Sequence, residues 1–310
     1  WSVGAAWNIN NEKFMQNVKW VDFLKLRFSY GVTGNIYQGA TSYMTASSDG
    51  VNEFTNLPFG TIDSPANPNL KWEKNIITDI GIDFSLFDNR LRGNIDYYIK
   101  TGKDIFSNKT LDPSTGFTTM FVNMASMENK GVEVQLTYDW FRERREGGFA
   151  WATSLTFSHN KNRVTDVENP STTAWQLISN PYRVGYPSSA MWSYRFAGIS
   201  DAEGEKGQTL WYGNDGNKVH AAQSQNIDVL EYSGQSDPVT VVGFDNRFSF
   251  KGFSLSILMA YYGGHKMRAL PEEETFDVPY SALASYYNNA WTPENPTNTP
   301  GIGRYASTAI

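Results

Sequence analysis

Apolar and polar residues alternate with a period of two along several segments, which predicts β-strands with one apolar face. In the segment 76–86, one face carries Ile76, Thr78, Ile80, Ile82, Phe84 and Leu86, and the other carries Ile77, Asp79, Gly81, Asp83 and Ser85. In the segment 91–101, Leu91, Gly93, Ile95, Tyr97 and Ile99 share one face, and Arg92, Asn94, Asp96, Tyr98 and Lys100 share the other. The two segments are separated by Asp88-Asn89, a short turn of residues that tolerate positive φ.

This turn gives the hairpin a register that can be checked. If Phe87 faces Arg90, then the apolar pairs are Leu86 with Leu91, Ile82 with Ile95 and Ile80 with Tyr97, and the polar face pairs Ser85 with Arg92, Asp83 with Asn94 and Gly81 with Asp96. A slip of one residue would mix the two faces. The pattern therefore predicts an antiparallel hairpin with this register.

The same alternation occurs in 23–31, in 132–140 with 149–157, and in 242–250 with 253–261. The last pair meets at Lys251-Gly252, a second tight turn. The strands predicted to contain these segments run about 10 to 13 residues or more, whereas globular strands average about 5 to 6 and tilted membrane-crossing strands need about 9 to 11. Strand length therefore favours a membrane barrel over a soluble sandwich.

Connection lengths alternate as well. The long connections are 34–74, 107–128, 165–187, 215–236 and 264–290, and the short ones are 88–89, 141–148, a segment near 200–206, and Lys251-Gly252. Outer-membrane barrels combine short periplasmic turns with long extracellular loops. The sequence therefore predicts an all-β fold, a partial transmembrane antiparallel up-and-down β-barrel. Ten strands are expected, with a possible eleventh near 302–308.

In such a barrel the apolar face contacts lipid and the polar face lines a wet lumen. The predicted lumen face carries Asp79, Asp83, Arg92, Asp96, Lys100, Glu133, Gln135 and Asp139. Aromatic residues make up 15% of the chain. Those near strand ends, Tyr97, Tyr98, Trp140, Trp151, Tyr261 and Tyr262, are expected to form an aromatic girdle. Substrate stacking and a sandwich core are the alternatives.

Charge and cysteine content exclude several kinds of protein. The net charge is −6 without a basic stripe, which argues against a nucleic-acid partner. The chain has no cysteine, so disulfides, thiolate metal sites and cysteine nucleophiles are excluded. The one dense charge run, 142–146, is mixed and predicts a solvated turn. No signal peptide opens the chain and Trp1 starts inside a predicted strand, so a fragment is expected.

The sequence contains no candidate for enzyme chemistry. His159, His220 and His265 lack a metal-binding spacing, and nucleophile-elbow and nucleotide-binding motifs are absent from the sequence. Asp79 and Asp83 share a strand face, but no nucleophile and base are paired with them. The turn at 214–217 does not match calcium-loop spacing. We therefore predict no catalytic, metal or cofactor-binding residues and no enzyme activity; substrate-binding residues stay unknown.

Several short motifs follow one another along the chain. They are Leu24 to Gly31 with Thr33-Gly34-Asn35, Asn67-Pro68-Asn69-Leu70-Lys71-Trp72-Glu73-Lys74, Thr78-Asp79-Ile80-Gly81-Ile82-Asp83, Asp88-Asn89-Arg90-Leu91, Asn129 to Val134, Phe157 to Asn162, Gly243-Phe244 with Phe248 to Ser256, and Trp291 to Pro296. Each motif is moderately specific. Together, in this order over nearly the whole chain, they resemble the SusC/RagA-type TonB-dependent transporters.

The resemblance implies a plugged barrel of about 22 strands, of which residues 1–310 would supply about 10 or 11. The plug domain and the final strands would be absent from this segment. It further implies TonB-dependent import of oligosaccharides or peptides with a SusD-like surface lipoprotein. The implied location is the outer membrane of a Gram-negative, Bacteroidetes-like cell. A soluble β-rich module that binds or hydrolyses glycans is the alternative.

Overall fold

The computed structural model describes residues 1–36, 38–39, 41–143, 147–168, 170–203, 205–220, 225–268, 288–289 and 291–297. The predicted eleventh strand near 302–308 and most of the predicted connection 264–290 lie outside these residues. The chain divides into two compact units. The first comprises Trp1–Pro170, Tyr182–Ser188 and Asp237–His265, and the second comprises Ser171–Pro181, Ser189–Ser236 and the described residues from Lys266 onwards.

The described residues form fifteen strands and one short α-helix. The strands are β1 (Ser2–Asn8), β2 (Val21–Asn35), β3 (Thr45–Val51), β4 (Pro58–Ser64), β5 (Glu73–Leu86), β6 (Leu91–Thr110), β7 (Thr119–Phe141), β8 (Ala150–Val167), β9 (Ala190–Tyr194), β10 (Phe196–Ile199), β11 (Thr209–Tyr212), β12 (Lys218–Val219), β13 (Leu230–Gln235), β14 (Thr240–Phe250) and β15 (Phe253–Gly263). The α-helix is α1 (Ala174–Ser179).

One antiparallel sheet dominates the first unit, with the strand order β1-β2-β5-β6-β7-β8-β14-β15. Its strands follow one another up and down, and a β3–β4 hairpin lies in the connection between β2 and β5. The predicted register of β5 against β6 is confirmed, with Leu86 opposite Leu91 and Ile82 opposite Ile95. The registers of β7 with β8 and of β14 with β15 also place apolar residues beside apolar ones, as predicted.

Two sequence-based predictions about the strands are wrong. The supposed long connection 107–128 is mostly strand, because β6 and β7 extend as a hairpin joined by residues 111–118. The segments 188–199 and 207–214, which the predicted connections 165–187, 200–206 and 215–236 left as barrel strands, instead supply β9, β10 and β11 to two small ladders, β9–β13 and β10–β11–β12. Eight of the expected ten strands therefore belong to the large sheet within the described residues.

Local geometry explains both corrections. Asp104 has a positive φ of 57°, and the pairing of β6 with β7 shifts between Gly102 and Phe106, so a bulge interrupts the alternation there. In the small ladders, Gly198 and Gly234 have positive φ and the pairing shifts beside each of them. The resulting strands of two to six residues are too short to cross a bilayer.

The tight turns join strands at one end of the large sheet. Phe87, Asp88 and Asn89 all have φ between 56° and 60°, and Lys251-Gly252 has φ of 49° and 82°. Two central residues with positive φ match the right-handed twist of the strands they join. These turns and the connections 9–20 and 142–149 share one end of the sheet, which is called the short-turn end below. The connections 36–72, 111–118 and 168–239 leave from the opposite, long-connection end.

Little apolar surface is buried by the large sheet itself. A small cluster of Val122, Met124, Val164 and Val167, with Met120 and Tyr182 against it, lies where β7 and β8 approach the long-connection end. The second unit has its own buried residues, which include Leu177 on α1, Trp192 and Val229. Among the described residues, no helix has the length and hydropathy to cross a membrane.

Candidate functional site

The two faces of the large sheet differ in the opposite sense from those of a water-soluble protein. On the apolar face, Ile80, Ile82 and Ile95 at mid-strand are 45%, 40% and 41% exposed. On the polar face, the side chains of Asp83 and Asp96 are 27% and 14% exposed. Apolar side chains turned outwards in mid-sheet suit contact with lipid, and the more sheltered polar face is the candidate functional surface.

Arg27 of β2 is the centre of an ionic network on this polar face. Its guanidinium forms two hydrogen bonds to Asp83 of β5, at 2.8 and 2.9 Å, and a third to Asp96 of β6 at 2.7 Å. Asp79 lies 4.0 Å from the same guanidinium. Three carboxylates therefore surround one arginine, so the cluster carries excess negative charge on the surface predicted to be in contact with water.

Gly81 makes room for the ion pair between Arg27 and Asp96, which spans from β2 across β5 to β6. It lies between Arg27 and Asp96 in the register of β2, β5 and β6. A Cβ at this position would lie 2.1 Å from the Asp96 carboxylate and 2.7 Å from the Arg27 guanidinium. A glycine without a side chain leaves the space in which the ion pair crosses β5.

The ring of Tyr98 lies over a second glycine, Gly131, on the same face. It is 6% exposed, and a Cβ on Gly131 opposite would lie 2.5 Å from its ring and hydroxyl. The Lys100 ammonium sits 4.1 Å from the ring centroid, as in a cation–π contact. The predicted girdle role is therefore wrong for Tyr98, and Tyr262 also lies on the polar face by its pairing with Val241.

Trp140 and Trp151, two of the rings predicted to form a girdle, lie together at the short-turn end of the apolar face. Trp151 stacks between Trp140 and Phe248 with centroid separations of 5.1 and 5.5 Å. The indole N–H of Trp140 donates to Thr153 Oγ1 at 3.0 Å, and that of Trp151 donates to Asn246 Oδ1 at 3.1 Å. Large rings with satisfied N–H groups at the edge of an apolar band are typical of a membrane–water interface.

Arg142 has a more specific place than the solvated turn predicted for 142–146. It donates to Asp139 at 3.0 Å, to the carbonyl of Asp88 at 2.7 Å and to the carbonyl of Asn89. Asp139 also accepts from Arg92 at 2.9 Å. The side chain thus ties the β7–β8 connection to the β5–β6 turn; residues 144–146 of the run lie outside the described residues.

The motif residues around 33–35 and 67–74 meet at the long-connection end of the sheet. Glu73 accepts hydrogen bonds from Asn35 at 2.7 Å and from the backbone of Phe106 at 2.9 Å. Asn123 exchanges hydrogen bonds of 2.7 Å with both backbone groups of Lys71 and donates to the carbonyl of Asp104. These motifs therefore hold the β6 bulge, which is a structural role that their sequence alone did not reveal.

The second unit contains a groove that combines rings with charged groups. It is lined by Ser193, Tyr194, Arg195, Phe196, Tyr212, Gly216, Glu231 and Ser233. The Arg195 guanidinium lies 5.7 Å from the Tyr212 ring centroid and donates to the Gly213 carbonyl at 3.3 Å. Small-molecule sites usually combine a few polar groups with apolar rings. Sequence reasoning gave no candidate here, because these residues meet only through the pairing of β9 with β13 and of β10 with β11.

Two of the histidines and the carboxylate of the 214–217 turn have ordinary hydrogen-bonding partners. His220 lies 2.9 Å from Glu205, and His159 from Thr240 at 3.0 Å. The Asp215 carboxylate accepts hydrogen bonds from the backbone and side chain of Asn217, which hold the pKa of Asp215 below its ordinary value. Among the described residues, no group of three or more acidic or histidine side chains is placed to bind a metal ion.

Comparisons with known proteins agree with the geometry. The family profile for "TonB dependent receptor-like, beta-barrel" matches residues 1–262. TonB-dependent receptor P26 of Formosa agariphila is 30% identical over 96% of this chain, and TonB-dependent receptor SusC of Bacteroides thetaiotaomicron is 24% identical over 82% of it. The solved structure of the RagAB peptide transporter covers 98% of this chain with a TM-score of 0.78 and 27% identity. The chain spans 31%, 26% and 34% of these three proteins respectively.

Proposed function

Because this chain belongs to the TonB-dependent receptor β-barrel family, we propose that it forms part of the wall of an outer-membrane transporter. The transporter would import oligosaccharides or peptides in a TonB-dependent manner, working with a SusD-like surface lipoprotein. All 310 residues would belong to the barrel and its loops, and the plug would be supplied by another part of the full-length protein.

The observation that carries this proposal is the exposed apolar face of the large sheet. From Ile76 to Leu86, about ten residue steps of ~3.3 Å on a strand tilted by ~40° rise ~25 Å. An apolar band of about this height is what an outer-membrane barrel presents to lipid. The ion pairs of the opposite face suit a water-filled lumen through which hydrated cargo passes.

Peptide cargo is supported by the solved neighbour, which is described as a peptide transporter. The groove of the second unit supports a polar cargo of either class, since Arg195 and Glu231 offer complementary charges beside aromatic rings. We propose that these two side chains contact cargo before it is imported. The transport step itself would depend on the lumen, the plug and TonB.

Membrane insertion is tested first on the full-length protein. A barrel should require detergent for extraction from the outer membrane and should migrate faster on a gel before boiling than after it. Recovery of a folded monomer in detergent-free buffer would contradict the proposal and favour the soluble glycan-binding or hydrolytic module.

Transport is tested in cells that express the full-length receptor with its partner lipoprotein. Uptake of fluorescent oligopeptides and oligosaccharides should require TonB, and Arg195→Ala should weaken uptake of the accepted class. Lys218→Ala, on the neighbouring strand β12 outside the groove, is the matched control. The proposal would be refuted if uptake continued without TonB, or if neither cargo class were taken up.

A further inference from the structure

A group of cations lies on the apolar face, just beyond the apolar band at the long-connection end. It consists of Lys74 on β5, Lys103 on β6, Lys130 on β7, and Lys161 and Arg163 on β8, and is called the outer basic patch. These residues share the alternation of Ile80, Tyr97, Val132 and Phe157 along their strands. All five are exposed.

The register places like charges directly opposite one another in this patch. Lys74 is paired with Lys103 across β5 and β6, and Lys130 with Lys161 across β7 and β8. Like charges in directly opposite positions destabilise a sheet. The protein itself therefore gives no stabilising reason for this arrangement, and a bound anion would remove the repulsion.

Nearby carboxylates compensate the charge of the patch only in part. Glu128 bonds to Lys130 at 2.9 Å and is paired with Arg163, and Asp166 is paired with Ser126 one alternation further along β7. These two carboxylates lie beside five cations. On the opposite face at the same height, Lys100 is paired with Asn129, and Asn129 accepts hydrogen bonds of 3.0 Å from Asn160 and Asn162. The larger excess of positive charge therefore lies on the face that bears the apolar band.

The depth of the patch is the second argument. Lys130 lies one alternation beyond Val132 on the same face, towards the long-connection end, a rise of ~5 Å on a tilted strand. Lys161 lies two alternations beyond Phe157, with His159 between them. Cations that directly border an apolar band lie at the height of lipid headgroups, where basic clusters attract anionic lipids.

We propose that the outer basic patch binds a phosphate-bearing lipid headgroup of the leaflet at the long-connection end. Lys130 and Lys161 would hold the phosphate between them, with Arg163 beside them as a further donor. The inference rests on the proposed membrane barrel. It adds a lipid site on the outer wall, apart from the lumen and the loops.

The test uses the full-length receptor in bilayers of equal phosphatidylglycerol and phosphatidylcholine, followed by native mass spectrometry of the lipids that remain bound. The wild-type receptor should retain phosphatidylglycerol preferentially. In the Lys130→Gln/Lys161→Gln double variant, the ratio of bound phosphatidylglycerol to bound phosphatidylcholine should fall about fivefold for each cation removed. Lys130→Arg/Lys161→Arg should keep it. Lys100→Gln, at the same height on the polar face, is the matched control and should behave like the wild type.

The outcomes separate this inference from the proposed function. A receptor that does not enter bilayers contradicts both. A receptor that enters but retains the two lipids equally, or whose double variant keeps the wild-type preference, overturns the lipid site alone. Excess inorganic phosphate at constant ionic strength should leave the preference unchanged; if it removes the preference, the patch binds the free anion and the lipid assignment is wrong.

Discussion

Arginine at Ile82 tests which solvent contacts the apolar face. Ile82 is paired with Leu26 on one side and Ile95 on the other, and it is 40% exposed. It lies four residues from Leu86 at the short-turn end, or ~10 Å into a band of ~25 Å. A guanidinium there would be too far from either edge to reach water without strain.

The expected cost follows from this depth. Arginine on the lipid face near the bilayer midplane destabilises a barrel by ~2–4 kcal/mol, and the cost falls towards zero near the interfaces. On a water-soluble sheet the same change at a partly exposed position would cost within ~0.5 kcal/mol. The two readings of the apolar face thus differ by several times the usual error of an unfolding measurement.

The structure also selects the control. Asp83, the neighbour on the polar face, would be a poor choice because it is bonded twice to Arg27. Gln135 on β7 is exposed on the polar face and is paired with Asn94 and Thr156. Gln135→Arg should therefore cost much less than Ile82→Arg. The assay is urea unfolding of the full-length receptor in lipid vesicles, followed by tryptophan fluorescence. Equal costs for the two variants would refute the assignment of the faces.

Three further substitutions test the packing of the sheet. Gly81→Ala should displace the Arg27–Asp96 ion pair and lower the free energy of unfolding by ~1–2 kcal/mol, because the lost charged hydrogen bond outweighs the gain in strand propensity. If the same substitution costs as much in an Asp96→Asn background, the ion pair is not the cause. Gly131→Ala should cost ~1–3 kcal/mol by overpacking against the Tyr98 ring and a backbone carbonyl, and an unchanged unfolding midpoint would exclude that contact. Asn123→Ala should leave backbone groups at the β6 bulge unpaired and lower the free energy of unfolding by ~1–3 kcal/mol. It should also accelerate amide hydrogen exchange of residues 67–73, measured by mass spectrometry. Unchanged exchange would show that Asn123 does not hold this segment.

The hairpins were predictable because a tight turn fixes the register and alternation then identifies the faces. Asp88-Asn89 and Lys251-Gly252 sufficed to pair β5 with β6 and β14 with β15 residue by residue. The family resemblance rested on motifs within or beside these strands, and the profile match over residues 1–262 confirms it.

The polar network was not predictable because it joins strands that no tight turn connects. Arg27 lies within the alternating segment 23–31, but its partners lie on β5 and β6, across the connection 36–72. A connection of that length leaves the register open. Gly81 was the available signal, since a glycine in mid-strand marks a close approach by another group. The β6 bulge was missed because Asp104 interrupts the alternation on which strand prediction depends.

The two glycines show how the sheet provides a wall for a wet interior. In a packed core, neighbouring side chains stand on the sheet and interlock, and a glycine there would leave a void. On this face, the Arg27–Asp96 pair lies across Gly81 and the Tyr98 ring lies across Gly131, so both side chains lie flat against the sheet. Side chains that satisfy one another along the wall need no opposing layer to bury them. That arrangement stabilises a surface that must remain next to water, and it explains why the polar face is sheltered while the apolar face is exposed.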